Sequence, residues 1–352
     1  MKQRTFFLTL LIICCVGIAA CRGLTPEEEQ VAPSPTAAAL AAATEMPAPP
    51  PASPTAEPPA TATATPMPTA TSTLTPSPTP TPSPTPTPAP LRFAVIGDYG
   101  LAGPAAEAVA MLIHSWEPDL IITTGDNNYP DGEAATIDEN IGQYYAGYIH
   151  PYVGVYTSTV ANTDVNRFFP SLGNHDYYNA AGAQPYLDYF ELPGNERYYE
   201  FEWGPVHFFA LNSDWNEPDG IHAESVQANW LEEQLAASTA PWQVVYQHVS
   251  PYSSGNHGSS PVHQWPFADW GADAVLTAHD HDYERLLIDG IPYIVNGLGG
   301  GAIYGFDTPL PESQIRFTGV HGAMLVEATP EEMIFEFITI DGEVVDSYQI
   351  TK

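Results

Sequence analysis

Apolar positions are arranged in three different ways along the 352 residues. Residues 6–20 form a single apolar run behind the basic start Lys2 and Arg4. At about 15 residues it is short for a membrane span and has the length of a signal-sequence core. Residues 25–90 show no apolar period. Pro, Thr, Ser and Ala fill them, as in the Thr-Pro and Ser-Pro alternation of 79–88. From Leu91 onward short apolar runs recur between Gly, Asp, Asn and Pro clusters. Residues 93–96, 120–122, 168–172, 207–211, 244–246, 274–276 and 293–295 read as buried strands, as do 323–327, 333–338 and 344–349. Residues 103–116 and 222–237 read as helices, the second with Val226, Trp230, Leu231 and Leu235 able to line one face. Asp341-Gly342 is a hairpin signal between the last two strands. Strands alternate with helices at first and dominate later, which predicts an α/β domain over 91–352 with two packed sheets and helices outside. About 260 residues suffice for such a core without covalent staples.

The strand ends carry the chemistry. Five strands run into a residue able to hold a metal: Asp98, Asp126, Asn174, His248 and His279. Sites in α/β folds gather beyond the carboxyl ends of strands, so these five predict one shared site. His279 and His281 are two apart on an extended segment and can face the same cavity. The three cysteines, Cys14, Cys15 and Cys21, all precede the folded part. A metal there must therefore use oxygen and nitrogen ligands.

Charge narrows the partners. Nine Lys and Arg stand against 42 Asp and Glu, a formal charge of −33. Such a surface repels nucleic acid and anionic membranes, which leaves no nucleic-acid-binding face. Besides the termini and Arg92, only Arg167, Arg197, Arg285 and Arg316 are candidate cations for the approach to the site, which puts affinity for highly charged anions in doubt.

In order, the chain reads Gly97-Asp98-Tyr99-Gly100, Gly125-Asp126-Asn127-Asn128-Tyr129, Gly173-Asn174-His175-Asp176, His248 and His279-Asp280-His281. This succession resembles the calcineurin-like metallophosphoesterase superfamily. Tyr129 three residues after Asp126, His257 nine after His248, and Asp282-Tyr283-Glu284-Arg285 after the double-histidine motif narrow the resemblance to the purple acid phosphatases. Ala278 stands where the family commonly has glycine. The resemblance implies a four-layer α-β-β-α sandwich with two mixed sheets and two metal ions: Fe(III) plus a divalent Fe, Zn or Mn. It implies that Asp98, Asp126, Tyr129 and His281 hold one ion, that Asp126, Asn174, His248 and His279 hold the other, and that Asp126 bridges. Water or hydroxide held by the ions is then the nucleophile toward small phosphorylated substrates, with His175 and His257 touching the phosphate and protonating the leaving oxygen. Asp176 is expected to orient His175 or a metal ligand. Phosphomonoester hydrolysis is the preferred activity. A phosphodiesterase or nucleotide hydrolase with the same site, and a non-catalytic surface binding module, stay open.

The N-terminus resembles a bacterial lipoprotein signal: Ile18-Ala19-Ala20 precede Cys21. That implies a signal peptide over 1–20, cleavage before Cys21 and lipid on it, and a place on the bacterial cell surface or in the periplasm with membrane contact only through the anchor. A plain secretory signal is the alternative. Residues 21–90 would then be a disordered, polyproline-II-like linker, about 65 residues at ~3.1 Å each reaching up to about 200 Å.

The remaining features read as structural. His114, His150, His207, His222, His263 and His321 match no motif, Glu284 and Arg285 are expected to pair with each other, and Gly297, Gly299, Gly300 and Gly301 to form a tight turn near the site. Tyr144, Tyr145, Tyr148, Tyr152 and Tyr156 are left between substrate mouth and core.

Overall fold

A computed structural model describes residues 89–352 apart from 159–163 and 180. The predicted signal, Cys21 and the linker lie outside the described residues. Among the described residues no helix is long and apolar enough to cross a membrane.

Thirteen strands form two mixed sheets among the described residues. They are β1 (Leu91–Ile96), β2 (Leu120–Thr123), β3 (Phe168–Pro170), β4 (Tyr199–Trp203), β5 (Val206–Ala210), β6 (Trp242–Val249) and β7 (Ala274–Ala278), then β8 (Tyr283–Ile288), β9 (Ile291–Asn296), β10 (Ser313–Phe317), β11 (Gly322–Ala328), β12 (Glu332–Thr339) and β13 (Val344–Thr351). The first sheet has the order β13-β12-β11-β1-β2-β3, with β1, β2 and β3 parallel. The second has the order β10-β8-β9-β7-β6-β5-β4, with β9, β7, β6 and β5 parallel. The carboxyl ends of the parallel strands supply the candidate site.

The sheets meet through aromatic side chains. Phe93 of β1 meets Phe208 of β5 edge-on at 5.0 Å, Phe208 stacks on Phe201 of β4 at 4.8 Å, and Phe201 stacks on Phe169 of β3 at 3.8 Å. Helices cover the outer faces. The helix Pro104–Trp116 starts on a proline whose missing N–H costs nothing there, and it buries Ala106, Val109, Ala110 and Ile113 toward the first sheet. The helix Val226–Ala237 is capped by the Ser225 side chain, which accepts from the Ala228 N–H, and packs Leu231 and Leu235 with Phe209, Val245 and Val275 of the second sheet. This is the expected α/β sandwich.

Several local expectations are corrected. The second helix begins at Val226 rather than 222, and Val226 is 62% exposed. Gln227 takes the buried place instead. Its amide accepts from the Asn212 N–H (2.7 Å) and donates to the carbonyls of Asn212 and Gly220 (3.0 Å each), so no polar group is left unpaired. Strands β4, β8 and β10 were not read from the sequence. Each mixes charged and apolar positions, and β4 and β10 are the edges of their sheet, where half-exposed strands need no apolar run. Arg285 does not pair with Glu284. Its guanidinium binds the Asp346 carboxylate at 2.7 and 3.1 Å, while Glu284 accepts from the Ser254 N–H and hydroxyl. The tyrosine run is mostly core: Tyr145 and Tyr148 are buried, and the hydroxyl of Tyr152 donates to Asp138.

Candidate metal centre

Asp98 and Asp126 follow β1 and β2 in left-handed backbone (φ 54 and 55), and His279 follows β7 in the same way (φ 73). These turns carry the side chains back over the strand ends. Asn174 and His175 lie in a short turn after β3, and His248 is within β6. The first sheet thus supplies Asp98, Asp126 and Asn174, and the second supplies His248 and His279.

The donor atoms fall into two groups. In one, the Tyr129 hydroxyl lies 3.1 Å from Asp98 Oδ1, 2.9 Å from Asp126 Oδ2 and 3.2 Å from His281 Nε2. In the other, His248 Nε2 lies 3.0 Å from Asn174 Oδ1, 3.1 Å from His279 Nδ1 and 3.4 Å from Asp126 Oδ1. Asp126 faces the first group with one oxygen and the second with the other. Ligand bonds of about 2.1 Å give polyhedron edges near 3 Å, so both groups have the size of an ion's ligand set. Asp98, Asp126 and His248, all buried, converge tightly enough to hold a metal. Backbone carbonyls set the imidazoles: Thr124 O accepts from His248 Nδ1 at 2.8 Å and Ala302 O from His281 Nδ1 at 2.5 Å, which leaves both Nε2 atoms free to ligate.

Burial and mutual charge shift the titration of the cluster's members. Burial pushes the His279 imidazole down to about 2, with neighbouring His248 and His257 adding to it, so it stays a neutral donor. Burial opposes charge on His248 too, but the Asp126 carboxylate outweighs it and raises the imidazole to about 10. Asp126 itself is held well below the usual carboxylate range, His248 and His175 overcoming its burial. Burial, then Asp98 and Asp126, push the Tyr129 phenol well up.

The two predicted phosphate-handling histidines lie on the open side. His175 Nδ1 is fixed by the Pro130 carbonyl at 2.5 Å, and its Nε2 is 3.9 Å from Asp126 Oδ2. His257 is exposed, and its ring stacks on His279 at 4.1 Å. All nine predicted site residues of the folded part therefore come together. Asp176 does not touch the His175 ring. Its carboxylate takes the Gly173 N–H (2.8 Å) and the Asn127 side chain (2.8 Å), tying the turn that carries Asn174 to the turn that carries Asp126. Burial and the Asp126 charge push that carboxyl up to about 7. Gly297 and Gly301 do form a tight turn: a Cβ at 297 would lie 2.6 Å from Asp98 Oδ2, and one at 301 would lie 2.9 Å from His281 Cε1. None of the six histidines outside the motifs hydrogen-bonds to a side chain of the cluster among the described residues; His263, for example, is bonded to Ser260 and Ser213.

Three neighbours were not foreseen. Tyr304 stacks on His281 at 4.1 Å, Tyr178 accepts from the Asn174 amide at 2.5 Å, and Asn127 joins Tyr99 and Thr123 to Asp176. Tyr178 and Asn127 sit inside the quoted motifs or directly behind them; Tyr304 arrives from a turn that carries no motif.

Residues 91–283 match the calcineurin-like phosphoesterase family, more than half of the chain. The chain belongs to the calcineurin-like phosphoesterases. Purple acid phosphatase 17 of Arabidopsis thaliana is similar to this phosphoesterase, 23% identical over 306 residues, 74% of this chain and 84% of the relative. Tartrate-resistant acid phosphatase type 5 of Mus musculus is 24% identical over 306 residues, 72% and 88% of the two chains. A solved purple acid phosphatase from yellow lupin seeds shares the fold, with a TM-score of 0.60 and 18% identity over 75% of this chain; the match spans 54% of the lupin chain. As a calcineurin-like phosphoesterase the protein is a metal-dependent hydrolase of phosphoric esters.

Proposed function

We propose that this phosphoesterase is a dinuclear acid phosphatase that removes phosphate from small monoesters outside the cell. The observation that carries the reading is the division of Asp126 between two donor groups, which suits a carboxylate bridging two ions. Asp98, Asp126, Tyr129 and His281 would hold one ion, and Asp126, Asn174, His248 and His279 would hold the other. Carboxylates and a phenol suit Fe(III); imidazoles and an amide oxygen suit divalent Fe, Zn or Mn. When bound, two such ions supply Lewis acidity and an ionised water for in-line attack on phosphorus. The chain's own residues do the rest. Asp98 and Asp126 fix the turns of β1 and β2 through their second contacts, the N–H groups of His279 and His175 (2.9 Å each). His175, braced between Tyr129 and Tyr178, faces the phosphate from one side. His257 faces it from the other and delivers a proton to the leaving oxygen.

Tyr129→Phe tests the iron assignment. The wild-type protein, purified without added metal, should show a visible phenolate-to-iron absorption that this variant loses. A colourless, iron-free and fully active wild type would sink the assignment. A panel of mono- and diesters tests the substrate class, and faster turnover of diesters would replace the monoesterase reading by a diesterase one. Export rests on the apolar run and Cys21. Cys21→Ser should release the protein from membranes or leave its precursor uncut; a processed, lipid-labelled Cys21→Ser protein contradicts the anchor.

A further inference from the structure

Asp280 stands between His279 and His281 in the turn that joins β7 to β8. It is buried, and it points beneath the loop of residues 253–258 that carries His257. Its Oδ1 accepts the His257 N–H at 2.7 Å. Its Oδ2 accepts the Ser253 hydroxyl at 2.5 Å and the Gly258 N–H at 3.2 Å. The Ser253 oxygen in turn accepts the Gly255 N–H at 2.9 Å. Three hydrogen bonds thus converge on one carboxylate, the kind of charge-assisted anchor that is roughly twice as strong as a neutral bond. Gly255 lies so close that a Cβ there would sit 2.3 Å from Asp280 Cγ. Four residues further along, Glu284 binds the N–H and hydroxyl of Ser254 at 2.7 and 2.6 Å, gripping the loop beside Ser253. The acid between them, Asp282, is fully buried with neither oxygen partnered among the described residues.

We infer that Asp280 is a positioning residue for the leaving-group proton: it holds the 253–258 loop so that the exposed His257 ring stays stacked on His279, next to the metals but not bound to them. The same tripeptide that brings two imidazoles to the cluster therefore also fixes where the third one stands. This rests on the reading of His257 as the proton donor. Without the anchor the loop is free to move its ring off His279, and the loss falls on esters whose leaving oxygen needs a proton.

The test compares the full chain with His257→Ala, Asp280→Asn and Gly255→Ala, using 4-nitrophenyl phosphate and a simple alkyl phosphate, with metal content measured on each protein. Gly255→Ala reaches the same contact from the loop side and keeps the test alive if Asp280→Asn folds poorly. The expected result is two ions in every variant, a fall in kcat/KM for the alkyl ester of about 10²-fold or more in His257→Ala, and a fall of at least about tenfold in the other two. The aryl ester should lose far less, and adding Asp280→Asn to His257→Ala should cost the alkyl ester nothing further, because both act through one ring. Equal slowing of both esters, loss of an ion, or additive losses in the double variant overturn the inference. If His257→Ala itself shows no contrast between the esters, the proton-donor reading fails and the inference with it. A contrast in His257→Ala that is absent in both other variants overturns only the positioning role.

Discussion

Asp126→Ala is expected to cost at least about 10³ in kcat/KM and to leave the protein with fewer than two metal ions per chain. The magnitude follows from the several kcal/mol that metal ions contribute to charge stabilisation in such reactions, at about 1.4 kcal/mol per tenfold in rate. The metal loss follows from geometry. Asp126 Oδ2 is 2.9 Å from the Tyr129 hydroxyl in one donor group and Oδ1 is 3.4 Å from His248 Nε2 in the other, so one side chain serves both. His279→Ala makes the useful comparison, because it removes a donor from one group only and should weaken one ion. Metal analysis together with rate, on protein whose folding is checked by circular dichroism, reads the difference. An Asp126→Ala protein that keeps two ions and most of its activity would remove the bridging role and the two-ion reading that rests on it.

The site was more legible in the sequence than the framework that supports it. Asp98, Asp126, Asn174, His248 and His279 each end or follow a strand, so the short apolar run in front of each announces where the side chain will be delivered. Parallel strands then bring all those ends to one edge of the sandwich without any further signal. The supports have no such marker. Adjacency suggested a Glu284–Arg285 pair, but neighbours on a strand face opposite sides, and the true partner of Arg285 lies 61 residues away at Asp346. Gln227 carries no sequence marker, yet it is the one polar residue of its helix's buried face, because the Asn212 backbone meets its amide from both sides. Tyr304 reaches His281 from a turn whose position depends on the tight glycine packing after β9. Each of these is a long-range contact between polar groups, and hydrophobic periodicity carries no information about those.

The division of the proposed ligands between the two sheets links stability to the site. Phe208→Ala is expected to destabilise the protein by about 3–5 kcal/mol, the usual cost of truncating a fully buried phenylalanine. Phe208 is inaccessible to solvent and lies between Phe93 of the first sheet and Phe201 of the second. A cavity there is closed on both sides by strands already fixed by hydrogen bonding, so little collapse can offset the loss. For a domain of this size the fall in Tm is on the order of 10 °C. Ions that bind the folded chain only should add stability in both proteins, about 4 kcal/mol when free metal is a thousandfold above Kd. They should do so by gripping Asp98, Asp126 and Asn174 from the first sheet and His248 and His279 from the second. Calorimetry with and without a chelator, on wild type and Phe208→Ala, separates the two terms. Truncation should lower Tm by a similar amount in both conditions while metal content at 25 °C stays at two. An unchanged Tm with metal lost at 25 °C would mean that the aromatic contact sets the geometry of the site and does little to hold the sheets together.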